Sequence, residues 1–439
     1  MPTRRQFLRA VSATAVVAPY FWIPARAQAR MVRHASFGAG GQALSDINAF
    51  AKHPAFELVA VADVDLCRLD NMLKRFPKTR VYQDWRELLK KESGRIDSVN
   101  VSTPDHMHAL MAIEAMRHGK HVYVQKPLAN TLRETRALTE YARKARVISQ
   151  MGIQVSSQQD QRYGEWLVRS GVVGKIREVH TFSHKNWGDD KPLPEGVDQV
   201  PPTLDWNEWL GVAETRPFKR DAYHPGNWRR RIGFGTGTLG DMGCHIYSPP
   251  YRALKLTAPV KVTSHGPTPS AESWAMKAKV HLVYPGTEYT AGPQVDVWWY
   301  DGGELPPEEL RTQVGTRMPE QGSVIVGTDG VLVLPHGGEA FALPDSKMAA
   351  IQKPELPPRD HYAEFLDAVL AGGTTACSAG FDYSGPLTES VLIGNVAAHY
   401  PGEALNFDAA RIAFTNKPEA SQYLSRTYRK DWRIKNANV

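Results

Sequence analysis

The sequence predicts an α/β protein whose N-terminal part is a doubly wound parallel sheet of the Rossmann type. One observation is a glycine-rich turn between a strand-like and a helix-like segment. Another is the alternation of apolar strands and amphipathic helices that continues to about residue 145. The 439 residues are enough for two domains. We therefore expect a first domain at 31–150 and a second, β-rich α/β domain at 151–439.

The first unit of the sheet is a strand, a glycine turn, a helix, a second strand and an acid. The strand spans Met31–Phe37, and residues 38–43 read Gly-Ala-Gly-Gly-Gln-Ala, which matches G-x-G-x-x-A. A helix over Leu44–Lys52 and a strand over Phe56–Ala62 follow, and Asp63 ends the unit. In this position the glycine pattern is typical of a dinucleotide-binding turn.

Each residue type in the turn suits a dinucleotide. Gly38 permits a tight turn, Gly40 lets the backbone approach a pyrophosphate, and Ala43 lets the helix pack close to the sheet. Gly41 and Gln42 lie at the helix N-terminus, where free N–H groups attract phosphate. We expect all five residues to bind the cofactor.

Asp63 follows the second strand at the position expected for a ribose-binding acid. Its carboxylate can accept hydrogen bonds from ribose hydroxyls and would repel a 2′-phosphate. NAD is therefore favoured as the cofactor, while the nearby Arg68 leaves NADP open.

The alternation continues after this unit. Predicted strands are Arg80–Tyr82, Ser98–Ser102 and His121–Val124, and predicted helices are Trp85–Lys91, His106–His118 and Thr131–Ala145. In the second domain, β-rich stretches are Glu178–His184, Val260–Ser264, Lys277–Tyr284, Val295–Tyr300, Ser323–Val326 and Val331–Leu334, and His361–Ala371 has the apolar periodicity of a helix.

Residues 1–29 resemble a twin-arginine signal peptide. Arg4 and Arg5 precede an apolar stretch over 10–23, and small-residue cleavage patterns end at Ala27 and Ala29. The stretch is too short for a stable membrane span. The resemblance implies export to the periplasm or the medium as a folded protein with its cofactor, and no membrane attachment once the signal is removed.

The charge does not favour a nucleic-acid partner. The formal net charge is +7, but the first 29 residues hold four arginines and no acid, so more than half of the excess lies there. The longest later run, Arg229–Arg231, is too short for a nucleic-acid arm.

No metal site is expected. Asp241 and His245 could form a pair of ligands, but no third and fourth ligand follows at useful spacing.

Three further segments carry a family resemblance. They are Val99–Pro104 with His106 and His108 after it, His121–Ala129 containing Gln125-Lys126-Pro127, and Gly240–His245 containing Asp241. With the glycine turn, they make the chain from about Arg33 to Ala397 resemble the Gfo/Idh/MocA family of sugar and inositol oxidoreductases. The resemblance implies that the second domain is built on a large, open, mostly antiparallel sheet.

The resemblance also implies site residues and a reaction. Cofactor-binding residues beyond the first unit would be Ser102, Thr103, Pro104, His106, His108, Gln125 and Lys126. Hydride removal from an alcohol needs a base for the hydroxyl proton and a donor to hold its oxygen. Asp241 and His245 are spaced i, i+4 and share a helix face. His245 would be the acid/base, and Lys126 and Asp241 would bind and orient the hydroxyl.

One residue departs from the family's pattern. Where the family usually has Glu-Lys-Pro, this chain has Gln125-Lys126-Pro127. The change removes a negative charge beside Lys126, which changes the environment of the lysine but leaves dehydrogenation open.

Aromatic and basic residues before the second glycine-rich run are candidates for substrate binding. Tyr223, His224, Trp228 and Arg229 could stack on or hydrogen-bond a sugar, together with the catalytic residues. A structural role for Trp228 is an equal alternative, and Asn186 and Trp187 are further candidates. The expected partner is a sugar, polyol or glycoside, and we expect a homo-oligomer, either a dimer or a tetramer.

Two other functions remain open on the same fold. Relatives of this kind include glycosidases that oxidise a sugar transiently, eliminate the aglycone, add water and reduce again, and a transhydrogenase would run a similarly closed cycle with NAD that never leaves. The other is a non-catalytic protein that binds a sugar or a nucleotide, although Lys126, Asp241 and His245 argue against it.

Overall fold

A computed structural model describes residues 30–349, 351–373 and 376–433. The proposed signal peptide, residues 1–29, lies outside the described residues. The first domain contains strands β1 Val32–Phe37, β2 Phe56–Ala62, β3 Arg80–Tyr82, β4 Ser98–Val101, β5 His121–Val124 and β6 Ser149–Met151. Its helices are α1 Gln42–Phe50, α2 Asp70–Arg75, α3 Trp85–Glu92, α4 His108–Arg117 and α5 Leu132–Ala145.

The six strands form one parallel sheet in the order β3-β2-β1-β4-β5-β6, which confirms the predicted Rossmann fold. The strand order reverses between β1 and β4. Gly38 N, directly after β1, donates to Ala62 O at the end of β2. Ser102 N, directly after β4, donates to Phe37 O at the end of β1. Ligands of such sheets bind outside the carboxyl ends of the strands at this reversal, so the glycine turn lies at the expected binding position.

Local sequence accounts for the helix starts. Thr131 accepts from Glu134 N while the Glu134 carboxylate accepts from Thr131 N, so α5 begins with a capping box. Asp84 accepts from Arg86 N at the start of α3. α4 begins at His108, two residues later than predicted, because 105–107 form a short 3₁₀ turn.

The second domain adds nine strands and seven helices to the described part of the chain. The strands are β7 Ile176–Phe182, β8 Lys261–Ser264, β9 Ala278–Pro285, β10 Gln294–Asp301, β11 Gly322–Gly327, β12 Val331–Pro335, β13 Phe341–Leu343, β14 Ala404–Asp408 and β15 Ala413–Phe414. The helices are α6 Gln159–Ser170, α7 Trp206–Leu210, α8 Gly237–Ala253, α9 Glu308–Val314, α10 Ser346–Ala349, α11 His361–Leu370 and α12 Phe381–Ala397.

These strands form one open sheet in the order β13-β12-β11-β7-β10-β9-β8-β14-β15. All neighbours are antiparallel except β7 and β10, so the mostly antiparallel sheet is confirmed. α8 is almost wholly buried and packs on α6, α12 and the sheet. This burial fixes the helix that carries Asp241 and His245.

One helix of the second domain returns to the first. Phe365, Leu366 and Val369 of α11 pack against Val32 and Phe50 of the first sheet's β1 and α1. The two domains therefore share a core on this side. Within the described ranges, the helices are all too short or too polar to cross a membrane.

Candidate active site

A cleft of about 420 Å³ opens between the two domains at the strand-order reversal. Most of the predicted site residues line it: Gly38, Gly40, Gly41, Gln42, Asp63, Ser102, Thr103, Pro104, Gln125, Lys126, His224, Trp228, Arg229 and Asp241. Arg68, Lys185, Trp187 and Trp209 line it as well. The cleft has a nucleotide end at the glycine turn and a charged end at Asp241.

The glycine turn presents bare backbone to the cleft. Gly38 has φ 103°, and a Cβ there would lie 2.6 Å from Ser102 O, so only glycine fits. A Cβ on Gly40 would lie 2.5 Å from Arg68 Nε, which places the guanidinium directly over the turn. Among the described residues no side chain caps the N-terminus of α1. Free amides beside a guanidinium fit the diphosphate of a dinucleotide.

Asp63 projects from the end of β2 into the same end of the cleft. Its Oδ2 accepts from Ala39 N at 2.8 Å and its Oδ1 from Asp65 N at 3.0 Å. Burial raises the pKa of Asp63, although both hydrogen bonds oppose the shift. Each carboxylate oxygen keeps a free lone pair, so Asp63 can still accept from ribose hydroxyls.

We expect Asp63→Ala to weaken NAD binding and to relax discrimination against NADP. Losing a hydrogen bond to a charged group costs ~1.5–3 kcal/mol, about ten- to a hundredfold in Kd. Fluorescence titration with both cofactors measures the change. Asp70→Ala removes an exposed carboxylate nearby and is the control. An unchanged NAD/NADP ratio in Asp63→Ala would contradict the assignment.

A segment of the second domain closes over the nucleotide end. His224 Nε2 lies 2.8 Å from Asp65 Oδ2, and Trp209 Nε1 donates to His224 Nδ1 at 3.1 Å. Because Nδ1 accepts, the ring proton lies on Nε2 and is donated to Asp65. Thr203 Oγ1 donates to Asp65 Oδ1 at 2.8 Å. We call Asp65, Thr203, Trp209 and His224 the clasp.

A buried carboxylate below the cleft organises its wall. Asp46 in α1 is fully buried and accepts from Gln42 Nε2 at 2.8 Å, Ser102 Oγ at 2.7 Å and Gln125 Nε2 at 2.9 Å. All three donors line the cleft. A fourth donor, the hydroxyl of Tyr362, comes from α11 at 2.8 Å. Asp46 therefore supplies a carboxylate beside Gln125, where the chain lacks the usual glutamate.

The charged end centres on the ion pair of Lys126 and Asp241. Lys126 Nζ contacts Asp241 Oδ1 and donates to Asp241 O at 3.0 Å. Trp187 Nε1 donates to Asp241 Oδ2 at 2.8 Å. Arg229 Nη1 lies 3.3 Å from Oδ1, and Lys185 Nζ lies 3.8 Å from Oδ2. One carboxylate is thus surrounded by three cations.

The surroundings shift the titration of this pair. Burial would raise the pKa of Asp241, but Arg229 and Lys126 hold it well below its usual range. Burial lowers the pKa of Lys126, and Arg229 adds to that effect, while Asp241 opposes it. Asp241 therefore stays negatively charged, and Lys126, in contact with it, can donate to a substrate oxygen.

His245 lies one turn beyond Asp241 on α8, as predicted, but it does not line the cleft. Its side chain is buried, and its Nδ1 has no hydrogen-bond partner among the described residues. Burial lowers the pKa of His245 well below its usual value, and the charge of Lys126 lowers it further. A neutral imidazole with a free ring nitrogen suits a base.

Four other predicted site residues lie behind the cleft wall. Ala43 is buried against Gly38, which agrees with a packing role. His106 Nε2 is bound to Trp209 O, and His108 is bound to Pro127 O and Thr103 O. Tyr223 packs in the aromatic cluster of Trp209 and Phe234. His106, His108 and Tyr223 therefore do not line the cleft, because their rings complete the packing beneath it.

Both domains of the chain match sequence models of one oxidoreductase family. The model of an oxidoreductase family with an NAD-binding Rossmann fold, Gfo/Idh/MocA, matches residues 32–153. The model of that family's C-terminal α/β domain matches residues 166–290. Together the two ranges span more than half of the chain. The chain belongs to the Gfo/Idh/MocA family.

Curated relatives match only in part. A glycosyl hydrolase family 109 protein of Shewanella sp. (strain ANA-3) is 32% identical over 155 residues, 33% of each chain. A levoglucosan dehydrogenase of Pseudarthrobacter phenanthrenivorans is 23% identical over 193 residues, 44% of this chain and 41% of the relative. The chain thus spans less than half the length of these Gfo/Idh/MocA relatives.

Solved structures share the fold over most of the chain. The aldose-aldose oxidoreductase of Caulobacter crescentus, in complex with glycerol, superposes with a TM-score of 0.59 at 18% identity, covering 86% of this chain and all of that one. The WlbA dehydrogenase of Chromobacterium violaceum, in complex with NADH and UDP-GlcNAcA, gives 0.61 at 16% identity, covering 87% and 97%. The fold shared with these structures therefore extends over both domains.

Sequence reasoning missed part of this Gfo/Idh/MocA site. Asp46, Asp65 and Lys185 were not among the candidates, and Trp187 was a minor one. The sequence does point to Trp187, through the Gly/Asp/Pro-rich loop that follows it. Asp46 and Lys185 gave no signal, because their partners are distant in the chain.

Proposed function

We propose that the protein transfers a hydride between a hydroxyl-bearing carbon of a sugar or polyol and a tightly held NAD. The observation that carries the proposal is the Lys126–Asp241 pair, with His245 one helix turn away, at one end of a cleft whose other end is the glycine turn. The family membership and the named dehydrogenase relative support it.

Each residue of the charged end has a separate role in the proposed reaction. NAD, when bound, supplies the hydride acceptor. Lys126 donates to the substrate oxygen and stabilises negative charge that develops there. Asp241 holds the ammonium in place through Oδ1 and is itself held by Trp187 through Oδ2. His245, one turn beyond Asp241 on α8, takes the hydroxyl proton.

Incubation with a panel of free sugars and polyols tests the reaction. A dehydrogenase accumulates reduced nicotinamide, at most one per protein molecule while the cofactor stays bound and more when added NAD exchanges with it. A protein that binds a sugar in the cleft, gives no reduced nicotinamide with any member and releases no aglycone from a glycoside, even when NAD is bound, would be the non-catalytic alternative.

A glycosidase that oxidises its substrate transiently is the second candidate. The glycosyl hydrolase family 109 relatives and the clasp over the nucleotide end favour it, since a closed cycle needs NAD that stays bound. Release of an aglycone from a glycoside with no net reduced nicotinamide would identify this reaction. Net accumulation of reduced nicotinamide would identify the dehydrogenase.

The clasp is expected to slow the release of NAD. His224→Phe keeps an aromatic ring but removes the hydrogen bond to Asp65 and the nitrogen that accepts from Trp209. We expect about a tenfold faster dissociation of NAD, the loss typical of one hydrogen bond to a charged group. Stopped-flow displacement by a competing nucleotide measures the rate. His118→Phe changes an exposed histidine and is the control. An unchanged rate would show that the clasp is only structural.

We propose export by the twin-arginine route. The proposal rests on the sequence pattern of residues 1–29. Replacing Arg4 and Arg5 by lysine keeps the charge but loses the paired guanidinium groups. We expect the precursor to accumulate in the cytoplasm, and fractionation with immunoblotting measures it. A normal yield in the periplasm would point to another route.

A homo-oligomer, either a dimer or a tetramer, is the proposed assembly, and the support is the family resemblance alone. Light scattering of the purified protein tests it, and a monomer mass at micromolar concentration would contradict it.

A further inference from the structure

The side-chain amide of Gln125 is held in one orientation. Gln125 follows β5 and is only 5% exposed. Its Nε2 donates to Asp46 Oδ2 at 2.9 Å and to Asp46 Oδ1 at 3.0 Å, while its Oε1 accepts from Lys126 N at 3.4 Å. A flipped amide would place its carbonyl oxygen against the carboxylate, and both groups are acceptors. Asp46 therefore fixes which end of the amide faces Lys126.

A glycine packs closely against the same amide. A Cβ on Gly152 would lie 2.8 Å from Cδ, Nε2 and Oε1 of Gln125, so the amide lies directly on bare backbone. Gly152 is itself fixed, because its N–H donates to Val124 O at 2.8 Å. With Gly152 and Asp46 both in contact with it, the amide of Gln125 has little room to change its rotamer.

The carboxylate of Asp46 is fully buried and is held by neutral groups. Burial raises the pKa of Asp46, and the hydrogen bonds that oppose the shift come from Ser102, Gln125, Gln42 and Tyr362. Burial of a carboxylate costs free energy even when neutral donors surround it. Stability alone therefore does not account for a carboxylate at this position under the cleft.

Lys126 is held at both of its ends by this arrangement. At the backbone, its N–H donates to Gln125 Oε1, and Gln125 N donates to Val101 O at 2.9 Å. At the tip, Nζ donates to Asp241 O at 3.0 Å and contacts Asp241 Oδ1. Asp241 thus orients the ammonium, whereas the amide that Asp46 fixes orients the backbone from which the ammonium extends.

We propose that Asp46 is a positioning residue for Lys126 and acts through the amide of Gln125. The carboxylate that the family's usual Glu-Lys-Pro has beside the lysine is supplied here by α1, and residue 125 provides the donor that meets it. The inference rests on the proposed function for its effect on the reaction rate, but not for the placement of the lysine. Because the donor and the acceptor face each other directly, they can be exchanged between the two residues.

This exchange is the test. Asp46→Asn places a second amide N–H opposite Gln125, and Gln125→Glu places a second carboxylate opposite Asp46, so each single variant disrupts the donor–acceptor pair. The double variant Asp46→Asn/Gln125→Glu restores the pair in reverse. Since a misplaced group can cost ~10² in rate, we expect kcat to fall at least about tenfold in each single variant and to return to within about threefold of wild type in the double variant.

Binding should change much less than the rate. The glycine turn keeps its own backbone contacts in Gln125→Glu, and Gln42 and Ser102 keep their bonds to Asp46. We expect KM and the Kd of NADH to stay within about threefold of wild type in this variant, the pattern of a residue that acts on the chemical step. Steady-state kinetics and fluorescence titration with NADH measure the two effects.

The lysine itself can be followed without any substrate. Protein loaded with NADH is labelled with carbon-13 at the Cε of its lysines, and Lys126→Ala identifies the resonance of Lys126 by its loss. We expect this resonance to shift in both single variants and to return to its wild-type position in the double variant. Asp70→Asn, which changes an exposed carboxylate at the start of α2, should leave it unchanged.

The outcomes separate positioning from stability and from the reaction. An unchanged Lys126 resonance or an unchanged kcat in both single variants overturns the proposal, and so does a double variant as impaired as the single ones. Loss of NADH binding or of cooperative thermal unfolding in both single variants also overturns it, since Asp46 would then be structural. A resonance that shifts and returns in a protein that turns over no substrate supports the positioning of Lys126 and contradicts the proposed reaction.

Discussion

Lys126→Ala is expected to lower kcat by ~10²–10⁴ while NAD stays bound. In the proposed reaction the ammonium is the donor to the substrate oxygen, and Asp241 holds it in the cleft. Removing it should not leave Asp241 unpaired, because Arg229 and Lys185 remain close to that carboxylate. Single-turnover kinetics and cofactor content measure the two effects separately.

A lysine outside the cleft provides the control for this variant. Lys261→Ala removes an exposed ammonium at the start of β8 and should leave kcat unchanged. If Lys126→Ala also loses its NAD or its cooperative thermal unfolding, the lysine is structural. If it turns over normally, the assignment of the hydroxyl-binding group is wrong.

His245→Ala is expected to cause a similar loss, ~10²–10⁴ in kcat, because the reaction loses its base. Burial and Lys126 lower the pKa of His245, so the neutral base is present at neutral pH. Activity should fall only as pH drops through this lowered pKa, well below the usual 6.5 of histidine. The pH profile of kcat for the wild-type protein locates this fall in activity at acidic pH.

Chemical rescue separates a base from a structural histidine. Added imidazole should restore part of the activity of His245→Ala, since the ring leaves a cavity beside the cleft. His118→Ala, on an exposed position, should behave as wild type. An acidic limb at or above the usual histidine pKa, or a variant that turns over normally, would contradict the role of His245.

Most of the first domain could be predicted from the sequence because its signals are local, although α2 and β6 were not among the predicted elements. β2, β3 and β5 have the predicted bounds, and the glycine turn lies where the pattern indicates. In contrast, α12 was not predicted. It is buried on nearly every side and contains Pro386, so it has no polar stripe that would give a helical period.

The positions of the proposed catalytic residues could be predicted, but their surroundings could not. Asp241 and His245 share α8 as their spacing indicates. His106 and His108 follow a site motif, yet their ring nitrogens bind backbone carbonyls below the cleft. Asp46 has the sequence pattern of a polar helix residue, and only the fold brings Gln125 to it.

The most direct test of hydride transfer follows the hydrogen itself. NAD-loaded protein is mixed with sugars and polyols deuterated at their carbinol carbons, quenched rapidly, and the extracted cofactor is analysed by mass spectrometry. We predict deuterium on the nicotinamide within a single turnover of the wild-type protein and none with Lys126→Ala. Intact NAD without deuterium for every compound in the panel, with binding in the cleft demonstrated, would contradict the account.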